Sequence, residues 1–88
     1  MSWRVELKPN AVKQYDKLDK RTRQRITKAL GELENSDNPL FHNDVRPLVG
    51  KLRGDYRLRV GGWRLLFTPD EAQKLVHVYA ILPRGDAY

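Results

Sequence analysis

Five basic residues, Lys51, Arg53, Arg57, Arg59 and Arg64, stand against one acid, Asp55, in the fourteen-residue stretch KLRGDYRLRVGGWR. This segment carries net +4 of the +6 formal charge of an 88-residue chain. A guanidinium stays charged, donates two parallel hydrogen bonds to phosphate oxygens, and is a poor proton acceptor. The cluster therefore suits binding and charge stabilisation on a phosphate-rich ligand rather than proton transfer. The usual proton carriers are histidines and carboxylates, and the only histidines are His42 and His77. His42 lies in a stretch without periodicity and reads as a polar loop residue. His77 shares a strand face with Leu75, Tyr79 and Ile81 and reads as a core histidine. Asp55 sits among the arginines, where neutralising or positioning them is the expected role. With no cysteine, no metal-ligand cluster and no phosphate-cradling glycine loop, neither a metal nor an organic cofactor is expected.

The elements that present these cations follow from spacing. Tyr56 to Val60 alternates with period two, sending Tyr56, Leu58 and Val60 to one face and Arg57 and Arg59 to the other. Gly61-Gly62 is a two-residue hairpin signal, and Trp63 to Phe67 returns with Arg64 opposite Trp63, Leu65 and Phe67. Trp63 and Tyr56 thus point with the core. Upstream, Trp3, Val5 and Leu7 alternate as a first strand. Asn10 is the expected N-cap of a short helix carrying Ala11, Val12, Tyr15 and Leu18. A second helix from about Arg21 buries Ile26, Ala29, Leu30 and Leu33 and ends at the turn formers Asn35 to Pro39. Leu40 to Gly50 carries no assignable pattern. Leu75 to Leu82 reads as a strand buried on most of both faces, closed by Pro83. The expectation is an α+β fold in two layers, ordered β-α-α-β-β-β. The last three strands form an antiparallel meander, and a helical hairpin packs on one face.

Length fits one domain, residues 1–88. No apolar run approaches bilayer length, which excludes membrane insertion, and the N-terminus lacks the apolar core of a secretory signal. A cytoplasmic protein is the expectation. A pI near 9.9 favours an anionic partner, and composition alone leaves nucleic acid, a membrane surface and an acidic protein open. Arginines along one strand face are ordinarily a solvated surface, and so is the basic helical region from Lys13 to Lys28.

The middle stretch KLRGDYRLRVGGWRLLF and the closing PRGDAY resemble the RelE/ParE superfamily of toxins from toxin-antitoxin pairs, and within it the RelE-like ribonucleases. The pieces fall in the family's order along nearly the whole chain. Leu82-Pro83 departs from the glycine-basic pair that many members carry before the last arginine. The resemblance implies an endoribonuclease toxin that cuts messenger RNA in the ribosomal decoding site and is neutralised by a cognate antitoxin. The alternatives are a gyrase inhibitor of the ParE type and a non-catalytic nucleic-acid-binding protein. For the ribonuclease, cleavage proceeds by 2′-OH attack on the adjacent phosphate. Arg64 and Arg84 are expected on the scissile phosphate, and Arg57 and Arg59 on flanking phosphates, with Lys51 and Arg53 adding contacts. Tyr88 is the candidate proton acceptor, its phenol shifted toward neutrality by Arg84 and Arg64.

Overall fold

The structure, a computed structural model, describes residues 3–86. Strand β1 (Arg4–Leu7) leads into helix α1 (Pro9–Asp16) and helix α2 (Lys20–Asn35). Four strands follow: β2 (Val45–Pro47), β3 (Tyr56–Val60), β4 (Trp63–Asp70) and β5 (Leu75–Pro83). They form one five-stranded sheet in the order β1-β5-β4-β3-β2. Strand β1 runs parallel to β5, and β2 to β5 form an antiparallel series. Both helices pack on one face. The core there unites Ile26 and Leu33 of α2 with Leu58, Leu65, Phe67, Val76 and Val78 of the strands. This is the expected α+β arrangement, with one further strand, β2, inside the segment that sequence pattern left unassigned. No helix among the described residues is long and apolar enough to cross a membrane.

Local chemistry sets the helix starts. Pro9 occupies the first turn of α1, where its missing N–H would have had no helical partner, so Lys8 rather than Asn10 is the capping position, without a side-chain cap bond. Asn10 does other work: its Nδ2 donates to the Tyr79 carbonyl at 3.0 Å, and Gln14 Oε1 accepts from the Ile81 amide at 2.6 Å. Strand β1 pairs with β5 only as far as Val78. Beyond that point, side chains one helical turn apart on α1 take the place of a neighbouring strand. Helix α2 is capped by Asp19, whose carboxylate accepts from the Thr22 amide and hydroxyl. Those bonds hold its pKa below the ordinary carboxylate range. Tyr15 and Thr27 join the two helices through a 2.9 Å hydroxyl contact. On the outer side of β1, Glu34 of α2 accepts from the Val5 amide at 2.9 Å.

Strand β5 contains a bulge that alternation alone does not reveal. Leu66 faces Ala80 while Phe67 faces Val78, which leaves Tyr79 as the additional residue. The expected shared face of His77, Tyr79 and Ile81 is therefore corrected. Ile81 joins Val76 and Val78 in the helix-side core, whereas His77 lies on the opposite face across from Thr68.

That opposite face is partly covered by the segment from Leu48 to Asp55. Leu48 packs with Leu66 and Ala80, flanked by Leu52, Tyr79 and Leu82. The flap closes by a bond from the Leu48 amide to the Asp55 carbonyl at 2.9 Å, and Gly54 supplies the left-handed turn with φ 101°. The Asp55 carboxylate fastens it to the sheet by accepting from Thr68 Oγ1 and Tyr79 Oη, each at 2.8 Å. Burial first, and the Asp55 carboxylate second, push the Tyr79 phenol well above its ordinary value.

Gln14→Ala should lower stability by about 1–2 kcal/mol in denaturant titration, because a part-buried strand amide loses its acceptor. The raised phenol of Tyr79 contributes stability below its unfolded pKa of about 10, and that contribution is lost as pH rises further. Tyr79→Phe should therefore cost roughly 1 kcal/mol at neutral pH. Its stability should then fall less steeply than that of the parent chain when the titration is repeated above about pH 10.

Candidate nucleic-acid interface

Strand periodicity puts Arg57 and Arg59 of β3 and Arg64 of β4 on the face away from the helices, and the hairpin fixes their register. Val60 pairs with Trp63 across Gly61-Gly62. Gly61 alone has positive φ, 57°, which is the signature of a type II′ loop. A Cβ there would also lie 2.8 Å from the Arg25 guanidinium of α2. With this register Arg59 stands directly opposite Arg64, and Arg57 opposite Arg46 of β2. Directly opposed Cβ atoms are about 4.5–5.5 Å apart, and like charges so placed repel.

Backbone carbonyls hold three of the four guanidinium groups, and a carboxylate receives the fourth. Arg46 Nη1 donates to the carbonyls of Asn43 and Val45 at 2.9 and 2.8 Å. Arg57 Nη1 donates to the Asp44 carbonyl at 3.2 Å, and Arg59 Nη2 to Asp44 Oδ1 at 2.9 Å. Arg64 Nη1 donates to the carbonyls of Gly61 and Trp63, both at 2.9 Å. Beside them a cleft of about 290 Å³ has a cationic wall of Arg46 and Arg57 and an apolar wall of Pro47, Leu48, Val49 and Leu52. Arginine has five N–H donors, so these contacts orient the groups while occupying only part of the donor set of Arg46, Arg57 and Arg59.

The other expected site residues lie around this array. Arg84 opens a short 3₁₀ turn directly after β5, exposed, with its amide bonded to the Gly62 carbonyl at 2.9 Å, which brings its backbone to the hairpin end. Lys51 and Arg53 are exposed on the flap, whose chain enters β3 from the other end. Tyr88 lies outside the described residues. Asp55 is corrected: its carboxylate is bound to Thr68 and Tyr79, and Asp44 is the acid that pairs with Arg59 of the array. Arg46 and Asp44 were missed because β2 has three residues and no readable alternation; only its register against β3 reveals them.

Neither histidine stands among proton-transfer partners facing the array. His42 accepts from the Asp44 amide through Nδ1 at 3.0 Å, and its Nε2 lies 3.0 Å from Glu32 Oε1. His77 is across from Thr68, at the far end of β4 from Arg64. Its buried Nδ1 is 3.6 Å from Glu6 Oε1 and makes no hydrogen bond among the described residues. Glu6 is held below the ordinary carboxylate range by Lys8 foremost, with His77 a lesser contributor. Tyr56 stacks on Phe67 at 5.9 Å between centroids, and Trp63 packs against the helix-side core, as their alternation implied.

Known proteins were compared with this geometry. In a search of solved structures, the archaeal RelE–RelB complex from Pyrococcus horikoshii OT3 contains a chain 29% identical, with TM-score 0.79, covering 99% of this chain and 100% of that one. The RelBE2 toxin-antitoxin complex from Mycobacterium tuberculosis matches at TM-score 0.82 and 22% identity, covering 96% and 100%. The isolated E. coli RelE toxin matches at TM-score 0.74 and 20% identity, covering 93% and 84%. A comparison with curated proteins gave no match. Residues 5–88 match the family model described as ParE toxin of type II toxin-antitoxin system, parDE. With a match over nearly its full length, the chain belongs to the ParE toxin family, within the RelE/ParE superfamily of type II toxins.

Proposed function

We propose that this toxin is a metal-independent endoribonuclease that cleaves messenger RNA in the ribosomal decoding site, halts translation in the cytoplasm, and is held inactive by a cognate antitoxin. The observation that carries the reading is the double opposition of arginines in register across neighbouring strands, Arg46 with Arg57 and Arg59 with Arg64. Repulsion of this kind is unfavourable in the free protein and is relieved when phosphate enters between the groups. Arg64 and Arg84 take the scissile phosphate and stabilise its developing negative charge. Arg57 and Arg59 bind flanking phosphates and, with Lys51 and Arg53 on the flap, hold the strand for in-line attack. Tyr88 accepts the 2′-OH proton as the 2′-oxygen bonds to phosphorus; the P–O5′ bond breaks, giving a 2′,3′-cyclic phosphate, and the departing 5′-oxygen takes a proton from water.

A second reading has its own support, since the matching family model is that of ParE toxins. Under it the chain inhibits DNA gyrase by protein contact and needs no phosphate site. The antitoxin partner is common to both readings, and the solved relatives named above include toxin-antitoxin complexes.

Primer extension on a messenger after brief expression separates the readings. New 5′ ends within codons are expected, and gyrase-linked DNA breaks without them would replace the ribonuclease with the gyrase inhibitor. Arg64→Ala should lower cleavage in ribosome-containing extract by about 10²-fold or more, the scale of one lost transition-state donor. Tyr88→Phe should lower it comparably if the phenol is the proton acceptor. Unchanged cleavage by both folded variants would remove these assignments.

A further inference from the structure

Three of the four arginines on the open face rest on one short turn. The carbonyls of Asn43, Asp44 and Val45 and the carboxylate of Asp44 receive Arg46, Arg57 and Arg59. Where that turn sits decides where three cations point. The turn is tied in its turn to α2. Because the Asp44 amide donates to Nδ1 of His42, that nitrogen is the bare acceptor. The ring proton is then on Nε2, which is directed at Glu32 Oε1. The imidazole is shielded, with 17% of its side chain exposed, against 51% for Glu32. Glu32 belongs to the helix whose Ile26 and Leu33 are fully buried in the core. An unbroken series of contacts therefore runs from that anchored helix through Glu32, His42 and Asp44 to the guanidinium groups.

We infer that His42 is a positioning residue for the arginine array: by accepting from the Asp44 amide it fixes the Asn43–Val45 turn, and through it the directions of Arg57 and Arg59, while Glu32 holds the ring proton on Nε2 and so keeps Nδ1 an acceptor. The inference rests on the phosphate-binding reading of the array. It assigns His42 no proton transfer to substrate. Arg25 and Lys28 line the same cleft as Glu32, Asp44 and Arg59, yet the Glu32 carboxylate is placed on the imidazole.

Two isosteric substitutions divide the ring's two bonds. In His42→Asn the amide oxygen falls near the place of Nδ1, which keeps the acceptor for Asp44. In His42→Gln the longer side chain reaches toward Glu32 and loses that acceptor. The measurements are side-chain Nε–Hε order parameters of Arg57 and Arg59 by NMR, and the Kd for a short single-stranded RNA, with thermal melting to verify folding. His42→Gln should lower both order parameters and raise Kd roughly three- to ten-fold, the span of one lost hydrogen bond, while His42→Asn stays within about two-fold of the parent. Order parameters unchanged in His42→Gln, or equal shifts in the two variants, would overturn the assignment. A parent chain without measurable RNA affinity would overturn the phosphate reading alone, and the order parameters would still decide for or against His42.

Discussion

Opposed like charges are the constraint around which this molecule is arranged. Two arginine pairs face each other across neighbouring strands, and like charges placed directly opposite destabilise a sheet. The sheet tolerates it because its other face is anchored by a continuous apolar core and because carbonyl dipoles and the Asp44 carboxylate receive the guanidinium groups. Hydrogen bonds to charged donors are stronger than neutral ones, so the array is held in place even where it repels itself.

Support for the array comes from the strands behind it. Strand β5 lies between β1 and β4, yet β1 is too short to pair with all of it. Asn10 and Gln14 complete the backbone bonding that β1 leaves open, which lets β5 run on to Pro83 and bring Arg84 beside the hairpin. The bulge at Tyr79 serves the same face differently. It turns the Tyr79 hydroxyl to Asp55, so a single irregular residue both re-registers the strand and fastens the flap carrying Lys51 and Arg53.

Much of this was legible in the residues. Alternation placed Arg57, Arg59 and Arg64 on one face correctly, because period two and a Gly-Gly loop leave little freedom of register. The helix stripe through Ile26 and Leu33 was equally plain. Three features were not legible, each for a physical reason. Proline at the first turn of α1 displaced the cap from Asn10, and no local rule predicts that the freed amide group would reach Tyr79. A bulge adds one residue without any marker in the apolar run from Leu75 to Leu82, so His77 and Ile81 were assigned to one face when they occupy two. Strand β2 ends in proline and exists only by pairing with β3; Arg46, Asp44 and the role of His42 depend on that pairing.

The margins of the sheet carry a last consequence. On one flank the Val5 amide is already bound by the Glu34 carboxylate, and on the other the outermost strand is three residues long and ends in Pro47, which has no N–H to give. Copies of this chain meeting flank to flank therefore find few groups with which to continue the ladder, and cross-β polymerisation is discouraged on both sides. A small, strongly cationic toxin can in this way accumulate without knitting into fibres.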